Sequence, residues 1–139
     1  MIALVDNRDS FTYNLVQALQ GLGVGVSVLD GRRSQAHEVL GAAGIIVGPG
    51  PGEPAMAGCS EEIFRLAAAR PDAPPVLGIC LGHQALGSAL GARIRRATEL
   101  VHGAVRPIHH DGSGVLAGLP APFPMARYNS LVVDEEGLP

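Results

Sequence analysis

The chain has 139 residues, 47% apolar and 17% charged, with 19 glycines, 11 prolines and a mean hydropathy of +0.25, which sets the expectation of one well-buried, loop-rich α/β domain over residues 1–139. The formal charge is −3 and all ten cations are arginines, so there is no basic field for a nucleic acid, and the lack of lysine excludes Schiff-base chemistry and a phosphate-loop lysine. The longest apolar stretches fall well short of a membrane span, and Asp6 interrupts the first one too early for a secretory signal; a cytoplasmic protein that meets no membrane is expected.

"IALV" at 2–5 reads as a strand, followed by the turn residues "DNRDS", with Asp9 or Ser10 placed to cap the helix "FTYNLVQALQGLG". Leu15, Leu19 and Leu22 fall there at helical spacing, and Gly23 marks a stop. "VGVSVL" alternates like a second strand, "QAHEVL" is a weak helical turn, and "GIIV" at 44–47 is a third strand between glycines. "SEEIFRLAAA" follows as a helix with Ser60 as its N-cap and acids in the first turn, and "PVLGI" as a fourth strand. Beyond Gly91 helical periodicity fades, and "ELVHGAVRPI" and "RYNSLVV" read as strands separated by Gly/Pro turns, with the closing "DEEGLP" read as an interruption after the last of them. Strands of four to six residues alternating with helices imply right-handed βαβ crossovers and an open, mainly parallel, twisted sheet covered on both faces.

Two cysteines cannot form a disulfide framework and show no metal-ligand spacing; no metal and no cofactor is expected. Cys59 lies beside a helix start and reads as an incidental small residue. Cys80 is framed as Gly78-Ile79-Cys80-Leu81-Gly82 between a strand and a helix. Glycines two places either side suit a tight strand-to-helix elbow, where larger side chains would collide as strand and helix fold together. Such a turn sets the sulfur at a helix N-terminus, which favours thiolate, and aims the Leu81 amide at the space beside it. The competing reading is a buried structural cysteine. "VGPGPGEP" at 47–54 also leaves a strand, as a stiff loop with glycine backbone open to close approach, or else as an ordinary rigid turn. Since strand C-terminal edges of an open α/β sheet share one crevice, this loop and the Cys80 turn should face each other. The amides of Gly52 and Leu81 would then make a two-donor oxyanion hole, worth about 3 kcal/mol per donor in the transition state.

"DNRDSFTYNL", "GPGPGEP", "GICLGHQAL", "VHG" and "ARYNSLVV", in this order across essentially the whole chain, resemble the class I (triad-type) glutamine amidotransferases, most closely the glutaminase subunits that serve anthranilate and aminodeoxychorismate synthases. The resemblance implies a flavodoxin-like α/β fold and hydrolysis of L-glutamine to glutamate and ammonia. Cys80 would be the nucleophile, Gly50, Pro51, Gly52 and Gln84 would line the glutamine site, and Ser130 and Leu131 would complete it. It also implies a partner, a chorismate-using synthase subunit that takes the ammonia for tryptophan or folate supply. The family reads His where this chain has Asn129, and its catalytic histidine and carboxylate come from a later segment not found before Pro139, so the chain alone is expected to be a weak glutaminase with an incomplete C-terminal end.

Among the in-chain histidines, His83 follows the nucleophile by three residues and is expected to pack beneath the elbow rather than act as base. His102 reads as structural, His37 as surface, and His109 and His110 as solvent-facing beside Asp111. Rival readings are a cysteine hydrolase or stress-type protein sharing the elbow, against which the Gly-Pro loop and Gln84 argue, and a non-catalytic, glutamine-binding or regulatory homologue.

Overall fold

The four apolar runs expected as strands, 2–5, 24–29, 44–47 and 75–79, each form one, the second starting two residues later and the fourth ending one residue earlier than expected. The computed structural model describes residues 1–136 and 138, so Gly137 and Pro139 of the terminal "DEEGLP" lie outside the described residues. β1 (Ile2–Asp6), β2 (Val26–Asp30), β3 (Gly44–Val47) and β4 (Val76–Gly78) make one parallel sheet in the order β2-β1-β3-β4. The register pairs Val5 with Leu29 on one side and with Val47 on the other, and Val47 with Gly78. The strands are connected through α1 (Thr12–Gly21) and α2 (Ser60–Ala68), and β4 runs on into α3 (Leu81–Ala89). From β1 the chain steps one way to β2, and from β3 the other way to β4. Right-handed crossovers therefore put α1 and α2 on opposite faces, and the order reverses between β1 and β3.

The chain divides into two compact units, one of residues Met1–Arg95 with the chain from Val133 on, the other Arg96–Val132. In the first, Ala3 and Val5 of β1 and Ile45 and Val47 of β3 share a sheet face with Ile63 and Phe64 of α2 and Ala85 of α3, all at most 5% exposed. Period-two alternation turns Leu4, fully buried, to the opposite face. On α1 the buried positions are Thr12 and Val16, with Leu15 and Leu19 half-buried beside them. Leu22, expected on that stripe, follows the helix as its C-cap and is 78% exposed. Gly23 ends α1 in the left-handed region at φ 74°, its amide bonded to the Gln20 carbonyl.

Both expected side-chain caps are replaced. α1 starts after Phe11 with no side-chain cap, and the Asp9 carboxylate accepts from the Phe11 amide at 2.6 Å instead. α2 is preceded by Cys59 at the N-cap, while Ser60 is already helical and its hydroxyl donates into the interior, to Asn7 Oδ1 at 3.0 Å. The serine is engaged by a buried acceptor far along the chain, which local capping rules do not register.

In the second unit β6 (Ala104–Ile108) and β7 (Phe123–Arg127) form an antiparallel ladder with Pro107 opposite Pro124. β7 was unexpected because Pro124 within it and Pro120 and Pro122 just before it read as turn signals. In a two-stranded ribbon both strands are edges, where a missing N–H is tolerated. Short β5 (Ile94–Arg96), also unforeseen, pairs with β8 (Leu131–Val133) in a separate two-stranded sheet. In the first unit Arg93 reaches back to Asp134 at 2.7 Å, with Arg95 at 3.5 Å from the same carboxylate.

Candidate functional site

Two chain segments leave the sheet side by side. Val47 and Gly78 are register partners, and the Ile79 amide donates to the Val47 carbonyl at 2.9 Å. Gly48 and Cys80 therefore emerge from neighbouring strand ends, as the crevice argument requires.

The turn at Cys80 is strained. Its backbone lies at φ 54°, ψ −108°, outside even the left-handed helical region, and Arg8 is the only other non-glycine residue with positive φ among the described residues. Holding a non-glycine residue in such a region costs about 1–3 kcal/mol and persists only where surrounding contacts enforce it. Here the two framing glycines do so. A Cβ on Gly78 would lie 2.5 Å from the Gly82 carbonyl oxygen, and one on Gly82 would lie 2.0 Å from the Val47 carbonyl oxygen. The first glycine lets β4 meet α3, as expected; the second serves a different contact, letting α3 touch the backbone of β3.

Cys80 is exposed, which rules out the buried structural reading. Its thiol departs from expectation in one respect. The helix start was expected to favour thiolate, but desolvation by the surrounding chain pushes the thiol above its ordinary range, with the Asp9 carboxylate adding to the shift and the Leu81 amide opposing it.

The "DNRDSF" loop is internally tied: Asp6 Oδ1 accepts from the Arg8 amide (2.8 Å), the Asp9 amide (3.2 Å) and the Thr12 hydroxyl (2.6 Å). Asn7 between them is 1% exposed. Its Nδ2 donates to the Gly48 carbonyl at 3.0 Å, and its Oδ1 accepts from Ser60. The Gly-Pro loop packs directly against it: a Cβ on Gly50 would lie 2.5 Å from Asn7 Cβ and 2.8 Å from Leu81 Cδ2. Gly50 thus touches both the first loop and the first residue of α3. Gly52 adopts φ 87°, and its amide donates to no group among the described residues. The Leu81 amide, at the first position of α3, makes no backbone hydrogen bond and acts on the Cys80 thiol instead. Pro51 is exposed. Gln84 is buried at 7%, one turn after Cys80, its amide bonded to the Cys80 carbonyl at 3.0 Å.

Cys80, Leu81, Gln84 and the 50–52 loop are thereby gathered in the first unit. Ser130 and Leu131 belong to the second, where the Ser130 carbonyl accepts from the Ala97 amide and Leu131 opens β8. Asn129 accepts from Arg127 Nε and donates to the Leu131 carbonyl, fixing the local backbone without a titratable ring. His83 is exposed rather than packed beneath the elbow, because α3 turns its neighbours Gly82 and Gln84 inward. His102 is exposed too, meeting Tyr128 edge-on at 5.2 Å. His110 accepts from the Gly112 amide and contacts the Pro120 carbonyl, so its ring nitrogens serve a turn, and among the described residues no group of three or more acids, histidines or cysteines could hold a metal. Among the described residues no helix is long and apolar enough to cross a membrane. Asn7 and Ser60 are the residues missed by sequence reasoning; the only signal was an asparagine directly after a strand.

A groove of about 610 Å³ flanks the start of β1, Glu38 and Ala42; it is remote from the strand ends that carry Cys80.

With this geometry in place, comparison with known proteins is informative. The glutamine amidotransferase class-I family profile matches residues 3–139. The anthranilate synthase component 2 of Thermus thermophilus is 48% identical over 136 residues, covering 96% of this chain; the chain spans 65% of that relative's length. The aminodeoxychorismate synthase component 2 of Escherichia coli is 43% identical over all of this chain and 73% of its own. Among solved structures, a glutamine amidotransferase from Thermotoga maritima aligns over 96% of this chain and 61% of its own with a TM-score of 0.74 at 13% identity, a likeness of fold. The chain belongs to the glutamine amidotransferase class-I family.

Proposed function

We propose that the protein is the cytoplasmic glutaminase subunit of a chorismate-using synthase. The observation that carries the reading is the strained, exposed Cys80 at the head of α3, with the Leu81 amide against its sulfur and the Gly-Pro loop alongside. In this reading the Cys80 thiolate attacks the side-chain carbonyl carbon of L-glutamine. The carbonyl oxygen becomes an oxyanion received by the Gly52 and Leu81 amides, each worth about 3 kcal/mol there. Collapse breaks the C–N bond, the nitrogen leaves as ammonia after taking a proton, and a glutamyl thioester remains. Water then attacks the thioester, releasing glutamate and the thiol. Gly50, Pro51 and Gln84 hold the substrate's remaining atoms; neutral amides and main chain suit an uncharged carboxamide.

Because desolvation and Asp9 push the thiol's pKa upward, the mechanism calls for a general base to take its proton, and none of the described histidines is committed to that task by a contact with Cys80. A base typically contributes about 100- to 10,000-fold, so the 139-residue chain on its own is a weak glutaminase. Ammonia has to be consumed before it escapes, which calls for a synthase partner. Anthranilate synthesis is the leading assignment, with the aminodeoxychorismate branch as the second, supported by the 43% identical relative. The test is ammonia release from glutamine, measured with the chain alone and with either synthase partner, together with labelling by a glutamine-mimicking chloroketone. Labelling lost in Cys80→Ser and turnover raised by a synthase support the reading; a chain that is never labelled removes it. Labelling without turnover under any condition favours a regulatory, glutamine-binding homologue.

A further inference from the structure

The loop that carries the Gly52 amide has little of its own to hold it. Residues 48 to 52 are Gly-Pro-Gly-Pro-Gly, with no side chain able to hydrogen-bond and no N–H on two of five residues. It enters neither helix nor strand until a short helical turn at Pro54–Met56. At its root, the Gly48 amide donates to the Val5 carbonyl at 3.0 Å. A side-chain hydrogen bond reaches the loop from outside it: Asn7 Nδ2 to the Gly48 carbonyl, in the buried interior. Asn7 also lies against Gly50 through its Cβ and main-chain carbonyl, and its carboxamide is fixed in turn by the Ser60 hydroxyl on α2. Gly31 closes the remaining side, so tightly that a Cβ there would lie 2.8 Å from Asn7 Oδ1. A carboxamide bonded at both ends cannot rotate without leaving a buried group unpaired.

We infer that Asn7 is a positioning residue for the oxyanion loop: it straps the Gly48 carbonyl to α2 through Ser60 and so sets where the Gly52 amide stands relative to Cys80. The inference rests on the amidotransferase reading of the site. Asn7 touches neither substrate nor sulfur; its effect passes through the loop. Loss of the strap leaves the donor present but misplaced, and misplacement weakens the charge-developing transition state more than ground-state binding.

Asn7→Asp isolates the strap. The acid keeps an acceptor for Ser60. When protonated it donates to the Gly48 carbonyl as asparagine does; when ionised it repels that carbonyl. Two reagents separate positioning from general damage. A glutamine chloroketone passes through an oxyanion as the thiolate adds to its ketone, before sulfur displaces chloride. Iodoacetamide alkylates the same sulfur by displacing iodide and develops no oxyanion. With the 139-residue chain, the rate of chloroketone labelling of Asn7→Asp relative to the parent should fall as pH rises, to about tenfold below the parent, less than the 100- to 1,000-fold typical of losing a donor outright. The same ratio for iodoacetamide should stay flat. Asn7→Ala should show the tenfold loss at all pH values, and Ser60→Ala a loss of under about threefold. Equal rates for Asn7→Asp and the parent, or parallel losses with both reagents, overturn the positioning role. A parent chain that iodoacetamide alkylates and the chloroketone does not overturns the amidotransferase reading, and this inference with it.

Discussion

The two cysteines occupy the same formal place, each just ahead of a helix and each close to a glycine, and they end in opposite circumstances. Cys59 has ordinary backbone angles, φ −79° and ψ 1°, is 7% exposed, and has its amide bonded to the Gly31 carbonyl. Cys80 is held at φ 54° and is exposed. Both thiols are pushed upward chiefly by desolvation, with Glu62, Glu38 and Asp30 adding at Cys59 and Asp9 at Cys80. A helix start therefore does not by itself make a cysteine nucleophilic. What distinguishes Cys80 is a backbone conformation that pushes the residue out of the fold, maintained by glycines on which no Cβ would fit.

The sharpest way to break that distinction is to remove the space. Gly82→Ala puts a Cβ 2.0 Å from the Val47 carbonyl, and Gly58→Ala puts one 2.0 Å from the Gly31 carbonyl at φ 60°; neither backbone neighbour can rotate away. Each should cost about 3 kcal/mol or more in urea unfolding, the upper end for overpacking, and Gly82→Ala should in addition abolish chloroketone labelling. Native alkylation sharpens the contrast next: iodoacetamide should modify Cys80 at least about 100-fold faster than Cys59, whose reaction waits on local opening, with mass spectrometry of timed digests as the readout. Comparable rates would mean that the α2 start is loose. Cys59→Ser should lower stability by about 1 kcal/mol by burying a hydroxyl among Val39, Ile63 and their neighbours, whereas Cys80→Ser, at an exposed position, should change it little. The smallest effect is in pH. A thiol whose folded pKa is raised contributes stability that is fully present below its unfolded pKa and is lost as pH rises through the folded value. The melting temperature should therefore decline from the ordinary thiol range upward, and Cys59→Ala should flatten that decline.

Local chemistry made the sheet legible: four apolar runs of strand length, each followed by turn residues, with "GIIV" matching β3 residue for residue. The Cys80 elbow was legible for the same reason, since strand, glycines and nucleophile lie within five consecutive residues. The contacts that escaped are those between distant segments. Ser60 reads as a cap until Asn7, 53 residues earlier, takes its hydroxyl. The balance at the Cys80 thiol also eluded sequence reasoning, because desolvation depends on everything packed around the sulfur while the helix start is visible locally. β7 was hidden by its own Pro124, whose tolerance depends on being in an edge strand.

The contact of Gly82 with β3 joins main chain to main chain. Because the atoms in it are common to all twenty amino acids, the nucleophile's address does not depend on which apolar side chains fill the layer below. Relatives can drift through many interior compositions while the sulfur keeps its height above the rim, provided position 82 never acquires a methyl group.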